Sequence, residues 1–180
     1  ILSVRTEVGQ YLPSWRPSSD YRQTVSAKAA LGGGVLLELS HEIDYLRWLF
    51  GDVEWVSAIQ RKQSALEIDV EDTAHLTLGF HVNNKHQIIA ALNMDFIRHD
   101  TTRVCTVIGD KVSLRWNGIT GTIEIFYAGG EHWELLISDI PDRDHTYREE
   151  IKHFIDCIEN NQKPIVSGED GVAAINVVEA

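Results

Sequence analysis

Alternation between apolar and polar residues dominates the middle of the chain and predicts β-strands. In EDTAHLTLGF, Leu76, Leu78 and Phe80 fall on one face and polar residues on the other. The same reading applies to ILSVRTEV, VEWVSAIQ, HQIIAALNMDFI, RVCTVI, KVSLRW, TIEIFY and EHWELLI. Turn-forming pairs at 109–110 (Gly-Asp) and 117–118 (Asn-Gly) separate several of these segments. The pattern therefore predicts about eight strands in a largely antiparallel sheet.

A short helix is predicted immediately after a run of three glycines. Residues 41–50 have apolar residues at helical spacing, with Ser40 before them as the expected N-cap. Gly51 follows them as the residue that ends the helix, because glycine readily adopts the left-handed backbone conformation needed there. This helix lies outside the alternating region.

Two more helices are predicted in the last third of the chain. Thr146 and Glu149 have the spacing of a capping box at the start of the first. The second is expected to begin near Ser167, with Asp170 three residues later. Many strands with a few segregated helices indicate an α+β fold, an open sheet with helices on one face. We expect residues 1–180 to form a single domain.

Composition excludes several classes of function. The formal net charge is −11, from 16 basic and 27 acidic residues, which argues against nucleic acid or an anionic membrane as the partner. No apolar stretch approaches the roughly 20 residues needed to cross a bilayer. Cys105 and Cys157 are too few for a disulfide framework, so the sequence predicts a reduced, cytoplasmic setting.

The segment GGGVLLELSHEIDYLRWLFG places a histidine, His41, on the first turn of the predicted helix. The positive end of the helix dipole disfavours a charged imidazole, so we expect a neutral ring that can accept a hydroxyl proton. Asp44 shares a helix side with His41 and is expected to orient it, while Glu42 stands in the first turn and Glu38 lies upstream. The alternative is a loop followed by a histidine that only caps or packs.

A second candidate region is YLPSWRPSSDYR. Tyr11, Trp15 and Tyr21 offer flat faces that stack on sugar rings, and Arg16 and Arg22 offer paired donors for carboxylate or phosphate. This composition suits an acidic or phosphorylated sugar. A loop packed over the sheet or in a subunit contact would explain the same residues.

The run GGGVLLELSHEIDYLRWLFGDV, together with EDTAHLTLGF and KPIVSGEDGVAAINVVEA, resembles the C-terminal domain of the Gfo/Idh/MocA oxidoreductases over nearly the whole chain. The resemblance implies a glyceraldehyde-3-phosphate dehydrogenase-like C-terminal fold, and an N-terminal Rossmann domain, absent from this chain, that binds NAD or NADP. It also implies self-association through the sheet face into a dimer or tetramer. The family's catalytic lysine belongs to the Rossmann half.

The same resemblance implies that His41 is the catalytic proton-transfer residue. Many members carry an aspartate four residues before this histidine, whereas Glu38 is three before it. The stretch VGQYLPSWRPSSDYR looks like members that act on sugars of cell-surface polysaccharides. The candidate substrate-binding residues are Tyr11, Trp15, Arg16, Tyr21, Arg22, Glu38 and Asp44.

Three functions follow as hypotheses. The first is the substrate-binding and oligomerisation domain of an NAD(P)-dependent oxidoreductase acting on a sugar, nucleotide-sugar or cyclitol, with the 180 residues alone inactive. The second is a non-catalytic binding or assembly module with the same fold. The third is a metal-dependent sugar enzyme, but the histidines and cysteines show no H-E-x-x-H or C-x-x-C spacing, so we predict no metal.

Overall fold

Eight strands form one open sheet in the part of the chain that the structure describes. The computed structural model describes residues 1–83, 86–139 and 144–180. The strands are β1 (Ser3–Gly9), β2 (Val53–Arg61), β3 (Thr73–Asn83), β4 (His86–Asp95), β5 (Thr102–Ile108), β6 (Val112–Asn117), β7 (Thr122–Tyr127) and β8 (Glu134–Ser138). Each corresponds to a segment whose alternation predicted it. The α+β class and the eight strands are confirmed.

The strands lie side by side in the order β2-β3-β4-β1-β5-β6-β7-β8. Strand β1 runs parallel to β4 and antiparallel to β5, and the other neighbouring strands are antiparallel. The sheet is therefore largely antiparallel, as predicted, with one parallel pair. That pair joins Ser3 to Ile89, two residues so far apart in the chain that no turn signal marks their pairing.

The hydrophobic core covers one face of β1, β3 and β4. Leu78 and Phe80 of β3 and Leu92 of β4 are completely buried, in agreement with the period-two pattern. Ile43 and Leu46, one helical turn apart, are also completely buried and belong to the same core cluster. The core thus fixes residues 41–50 against the sheet.

Among the described residues, four α-helices accompany the sheet: α1 (Val35–Glu38), α2 (His41–Phe50), α3 (His145–Glu159) and α4 (Gly168–Glu179). Short 3₁₀ turns occupy Leu12–Ser14, Tyr21–Gln23, Val25–Ala27 and Ala29–Leu31. The predicted capping box at the start of α4 is confirmed, with the Ser167 and Asp170 side chains each bonded to the other's backbone N–H. Among the described helices, none combines the length and apolar character needed to span a bilayer.

Ser40 occupies the predicted N-cap position without a side-chain cap, and the expected cap at Thr146 was wrong. Ser40 has helical backbone angles and makes no capping hydrogen bond through its side chain, because the preceding residues already form α1. The run VLLE closes that turn, with the Leu39 N–H donating to the Val35 carbonyl at 3.0 Å. Helix α3 begins at His145, so Thr146 lies inside its first turn and forms no cap.

Helix α3 exposes its apolar face. Tyr147, Ile151, Phe154 and Ile158 fall at helical spacing, yet all four are more than half exposed. Cys157 is the buried residue of this helix. The apolar side of α3 is thus uncovered, in contrast to the buried side of α2.

Candidate functional site

The glycine run forms a tight corner against the rest of the chain. Gly34 has a φ of +116°, and a side chain there would collide with the carboxylate of Glu71. Backbone N–H groups at the start of α1 are held by the same residue: Val35 donates to the Glu71 carbonyl at 3.2 Å and Leu36 to Glu71 Oε1 at 3.0 Å. The close approach that Gly34 allows is therefore to this chain's own glutamate, and it sets where α2 begins.

His41 is the first residue of α2. Its side chain is 51% exposed, so the imidazole is accessible to a small molecule. Its Nε2 lies 3.3 Å from Oε1 of Glu42. Asp44, the expected orienting group, instead approaches Arg47 at 3.9 Å and is 40% exposed. The structure thus brings Glu42, rather than Asp44, to the ring.

The carboxylate of Glu42 is completely buried beneath His41. Arg103 of β5 places its Nε 2.7 Å from Glu42 Oε1, and its guanidinium lies over the Trp116 ring at 5.1 Å. The angles of this contact do not make a hydrogen bond: both Glu42 oxygens and Arg103 Nε lack an aligned partner among the described residues. A buried ion pair with unmade hydrogen bonds is uncommon and calls for a specific reason.

Neutral side chains surround this pair on the core side. Tyr45 packs edge-on against Trp116, and its hydroxyl lies 3.5 Å from Thr6 Oγ1. Burial raises the pKa of Tyr45, and the nearby Cys105 and Glu42 raise it further. Burial also raises the pKa of Cys105. Tyr45 and Cys105 therefore stay protonated at neutral pH and add no charge to the site.

The aromatic segment at 11–22 packs on the core rather than facing an open cleft. Trp15 Nε1 donates to the Gln10 carbonyl at 3.1 Å, and its ring meets Phe96 edge-on at 5.2 Å. Tyr11 stacks on His99 with ring centroids 4.2 Å apart. The gap lined by Leu12, Trp15, Arg16, Tyr21 and Thr24 measures about 10 Å³, which is room for a water molecule and not for a sugar.

Arg22 is already engaged within the chain. Its Nε and Nη2 donate to the Asp20 carboxylate at 2.8 and 3.0 Å, and its Nη1 donates to Glu67 at 3.0 Å. The hydrogen bond from Arg22 lowers the pKa of Asp20. The Tyr21 hydroxyl accepts from the Glu67 N–H at 3.2 Å. These contacts give Tyr21 and Arg22 a structural role in holding this loop.

A larger cavity lies beside α2. It measures about 470 Å³, and Asp44, Trp48 and Val166 are among the residues that line it. Trp48 is 74% exposed, so the indole offers a free face. Of the candidate substrate residues, Asp44 opens onto this cavity, Glu38 is half-buried at the end of α1, and Arg16 is exposed on the 11–22 segment.

Sequence reasoning missed two members of the site, Glu42 and Arg103. Helical spacing could have predicted that Glu42 is buried. Glu42 precedes Leu46 by four residues and so lies on the same side of α2, and Leu46 is completely buried. Arg103 carried no signal, because only the pairing of β5 brings it to α2. In the described parts of the chain, no group of three or more His, Cys, Asp or Glu side chains is arranged to hold a metal.

Comparison of folds finds close structural likeness to sugar-related oxidoreductases. Aldose-aldose oxidoreductase from Caulobacter crescentus complexed with glycerol matches with a TM-score of 0.78 and 21% identity, over 99% of this chain and 51% of that one. Levoglucosan dehydrogenase in complex with NADH matches with a TM-score of 0.79 and 16% identity, over 99% and 55%. The WlbA dehydrogenase from Bordetella pertussis, in complex with NADH and UDP-GlcNAcA, matches with a TM-score of 0.70 and 20% identity, over 99% and 51%.

At these identities the likeness is one of fold, and the chain spans about half the length of each of these structures. A comparison with functionally curated proteins finds no match. The family model described as "Oxidoreductase family, C-terminal alpha/beta domain" matches residues 1–180. The chain therefore belongs to the Gfo/Idh/MocA oxidoreductase family, as its C-terminal α/β domain.

Proposed function

We propose that this chain is the substrate-binding and oligomerisation domain of an NAD(P)-dependent oxidoreductase that acts on a sugar, nucleotide-sugar or cyclitol. In this proposal, a Rossmann domain forms the other half of the complete protein. The family match over all 180 residues supports the reaction class. The names of the structural neighbours, which include an aldose oxidoreductase and a dehydrogenase bound to a nucleotide sugar, support the substrate class.

The observation that carries the proposal is the placement of His41. Its imidazole is anchored at the start of a helix whose other side is buried in the core, yet half of the side chain is exposed. A group placed in this way can take the proton from a substrate hydroxyl as the carbon loses hydride, or return it in the reverse direction. His41 is thus the catalytic residue that this domain contributes.

The nicotinamide cofactor has no fitting site in the described residues of this domain. A dinucleotide fold needs a glycine-rich turn between a parallel strand and a helix. The single parallel pair described here, β1 with β4, is followed by no such turn, and Gly34 closes on Glu71 instead. The cofactor, NAD or NADP, would accept the hydride from its site elsewhere in the complete protein.

Substrate recognition is proposed for the residues around His41 and for the 11–22 segment. Asp44 and the exposed Trp48 line the cavity beside α2, where a carboxylate and an indole face suit a sugar ring and its hydroxyls. Arg16 supplies an exposed cation near Tyr11 and Trp15. The remaining candidates, Tyr21, Arg22 and Glu38, act through the position of the surrounding chain rather than through free donors.

Self-association is proposed through the sheet face opposite the core. Trp55, Ile59 and Ile89 point to that face, as their register with β3 and β4 requires, and they are 38%, 66% and 46% exposed. A second sheet is a suitable cover for such a face, giving a dimer or tetramer. Sedimentation of the protein at micromolar concentration tests this, and a pure monomer would contradict it.

The reaction itself is tested by assay of the complete protein. It should reduce NAD or NADP with at least one member of a panel of aldoses, nucleotide sugars and cyclitols, followed by the absorbance of the reduced cofactor. The isolated 180 residues should give no turnover under the same conditions. Turnover by the isolated domain, or a complete protein that binds no nicotinamide cofactor, would contradict the proposal and favour a binding or assembly module.

A further inference from the structure

A fully buried carboxylate lies directly beneath the proposed catalytic histidine. We propose that Glu42 is a positioning residue: it holds the Nε2 side of the His41 ring and stabilises the imidazolium that forms when His41 takes a proton from the substrate. This inference rests on the proposed function of His41. The sequence had pointed to Glu38 and Asp44 as the carboxylates near His41, whereas this inference gives that role to Glu42.

The first argument is distance and burial. Glu42 Oε1 lies 3.3 Å from His41 Nε2, and the carboxylate has no exposed surface. Water therefore does not screen the Glu42 carboxylate on the core side. A positive charge that develops on the His41 ring is then attracted strongly by this carboxylate. The His41 side chain is itself half exposed, so a substrate can reach the ring.

The second argument comes from comparing two equally buried carboxylates. Asp72 is also completely buried, but it accepts four hydrogen bonds, from Gln63 N, Ser64 N, Ser64 Oγ and Thr73 Oγ1. Those bonds give Asp72 a purely structural role in the loop before β3. Neither oxygen of Glu42 has an aligned donor among the described residues. A buried carboxylate without such donors calls for a specific explanation, and a catalytic role is one that fits its place beside His41.

The third argument is the place of Arg103. Its Nε lies 2.7 Å from Glu42 Oε1, so the buried carboxylate has a neighbouring group of opposite formal charge. The guanidinium is itself fixed over Trp116. Arg103 Nε and His41 Nε2 both lie near the same oxygen of Glu42, Oε1, so the fixed guanidinium helps to hold the oxygen that lies beside the His41 ring. Tyr45 and Cys105, which flank the pair, remain neutral.

This arrangement decides which ring nitrogen reacts. Because Nε2 is the ring nitrogen that lies 3.3 Å from Glu42 Oε1, the proposal assigns the proton of the neutral ring to Nε2 and leaves Nδ1 to accept one. In the complete protein, the oxidised nicotinamide would accept the hydride from the substrate carbon as the carbon–oxygen double bond forms. The hydroxyl proton moves to Nδ1, and the resulting imidazolium stands beside the Glu42 carboxylate.

The kinetic test uses Glu42→Gln in the complete protein. We expect kcat to fall by at least roughly 10-fold while KM for the sugar changes little, because the charge acts on the imidazolium and not on the bound substrate. Glu42→Asp, which keeps the charge, should recover part of the loss. The matched control is Glu124→Gln, since Glu124 is a half-buried carboxylate paired with Arg115 at 2.9 Å, and Arg115 lies over Trp133. This control should leave kcat unchanged.

A second measurement does not depend on turnover. The ring-nitrogen NMR signals of His41 should show the proton on Nε2 in the unmodified protein and a mixture of the two neutral forms in Glu42→Gln. His75, whose Nδ1 lies 2.7 Å from Asn93 Oδ1, is the internal control and should not change. The spectrum reads the contact between Glu42 and His41 directly.

The outcomes separate this inference from the proposed function. If Glu42→Gln leaves the His41 ring form or kcat unchanged while His41→Ala removes turnover, Glu42 is structural only and the inference fails, but the function stands. If His41→Ala leaves turnover intact, the proposed function fails and this inference fails with it. Loss of kcat together with the change of ring form supports it.

Discussion

The carboxylate of Glu71 occupies the space in which a side chain on Gly34 would begin. The same carboxylate accepts a hydrogen bond from the Leu36 N–H at 3.0 Å, so it serves as the cap that α1 lacks in its own sequence. Because α1 leads directly into α2, this contact fixes the point at which His41 emerges. The triple glycine is thus a structural corner that serves the site.

Substitution of Gly34 by alanine should destabilise the fold. The new Cβ would collide with Glu71, and the φ of +116° is unfavourable for any residue with a side chain. We expect a loss of at least about 2 kcal/mol in the free energy of unfolding, measured by urea denaturation. Gly32→Ala is the control, because its φ is +78° but nothing lies within 4 Å of the added atom. An equal loss in both variants would show that Glu71 is not the obstacle.

Removal of the His41 imidazole should abolish most of the activity of the complete protein. A general acid–base group contributes roughly 10²-fold or more to the rate, so His41→Ala should lower kcat by that factor. Since the ring is half exposed, the melting temperature should hardly change. His132→Ala, in the exposed loop before β8, is the matched control and should keep full activity. Intact turnover in His41→Ala would favour the binding-module hypothesis.

The carboxylate of Asp72 should make the fold sensitive to acid. Burial alone would raise its pKa, but hydrogen bonds from Gln63, Ser64 and Thr73 outweigh burial and hold the pKa below its usual range. A carboxyl with a lowered pKa in the folded state stabilises the fold at pH values above the pKa of the unfolded chain. That stabilisation is lost as the pH falls towards the folded-state pKa.

Urea denaturation of Asp72→Asn tests this dependence on pH. The variant should be less stable than the natural protein by about 1 to 3 kcal/mol at neutral pH, and the gap should shrink below about pH 4. Asp110→Asn, in the exposed turn between β5 and β6, should behave like the natural protein throughout. If the difference in the free energy of unfolding between the two proteins stays constant down to acid pH, the charge of Asp72 does not stabilise the fold.

The capping box of α4 should contribute measurably to stability. Ser167 Oγ accepts from the Asp170 N–H at 3.3 Å, and Asp170 Oδ2 accepts from the Ser167 N–H at 2.8 Å. Ser167→Ala should lower the free energy of unfolding by about 1 kcal/mol. Asp144 precedes α3 without a side-chain hydrogen bond to its backbone, so Asp144→Ala should cost much less. Similar losses in both variants would show that this cap is unimportant.

The site illustrates how far local sequence reasoning reaches. His41 stands in a recognisable segment, and the helix that carries it has the predicted bounds. Its neighbour Glu42 was overlooked because the residue looked like an ordinary charge in a first turn. Burial turns that charge inward, and the arginine that meets it comes from a strand more than 50 residues away, as the positions of Glu42 and Arg103 show.

The segment at 11–22 was overestimated by the same local reasoning. Its aromatic and arginine residues suit a sugar site by composition, and Tyr11, Trp15 and Arg16 remain candidates. Only the folded chain shows that Arg22 already holds Asp20 and Glu67 and that Trp15 meets Phe96. Side-chain chemistry states what a residue can bind, whereas its neighbours decide whether its donors are free.

The eight strands, the cap at Ser167, the end of α2 at Gly51 and the family could all be predicted from the order of residues along the chain. These features depend on a residue and a few neighbours along the chain, through backbone period, turn geometry and capping. The position of β1 between β4 and β5, and that of Glu42 under His41 beside Arg103, became visible only in the folded chain. Strand pairing and burial depend on contacts between distant parts of the chain. These contacts stabilise the protein only when the whole core has formed.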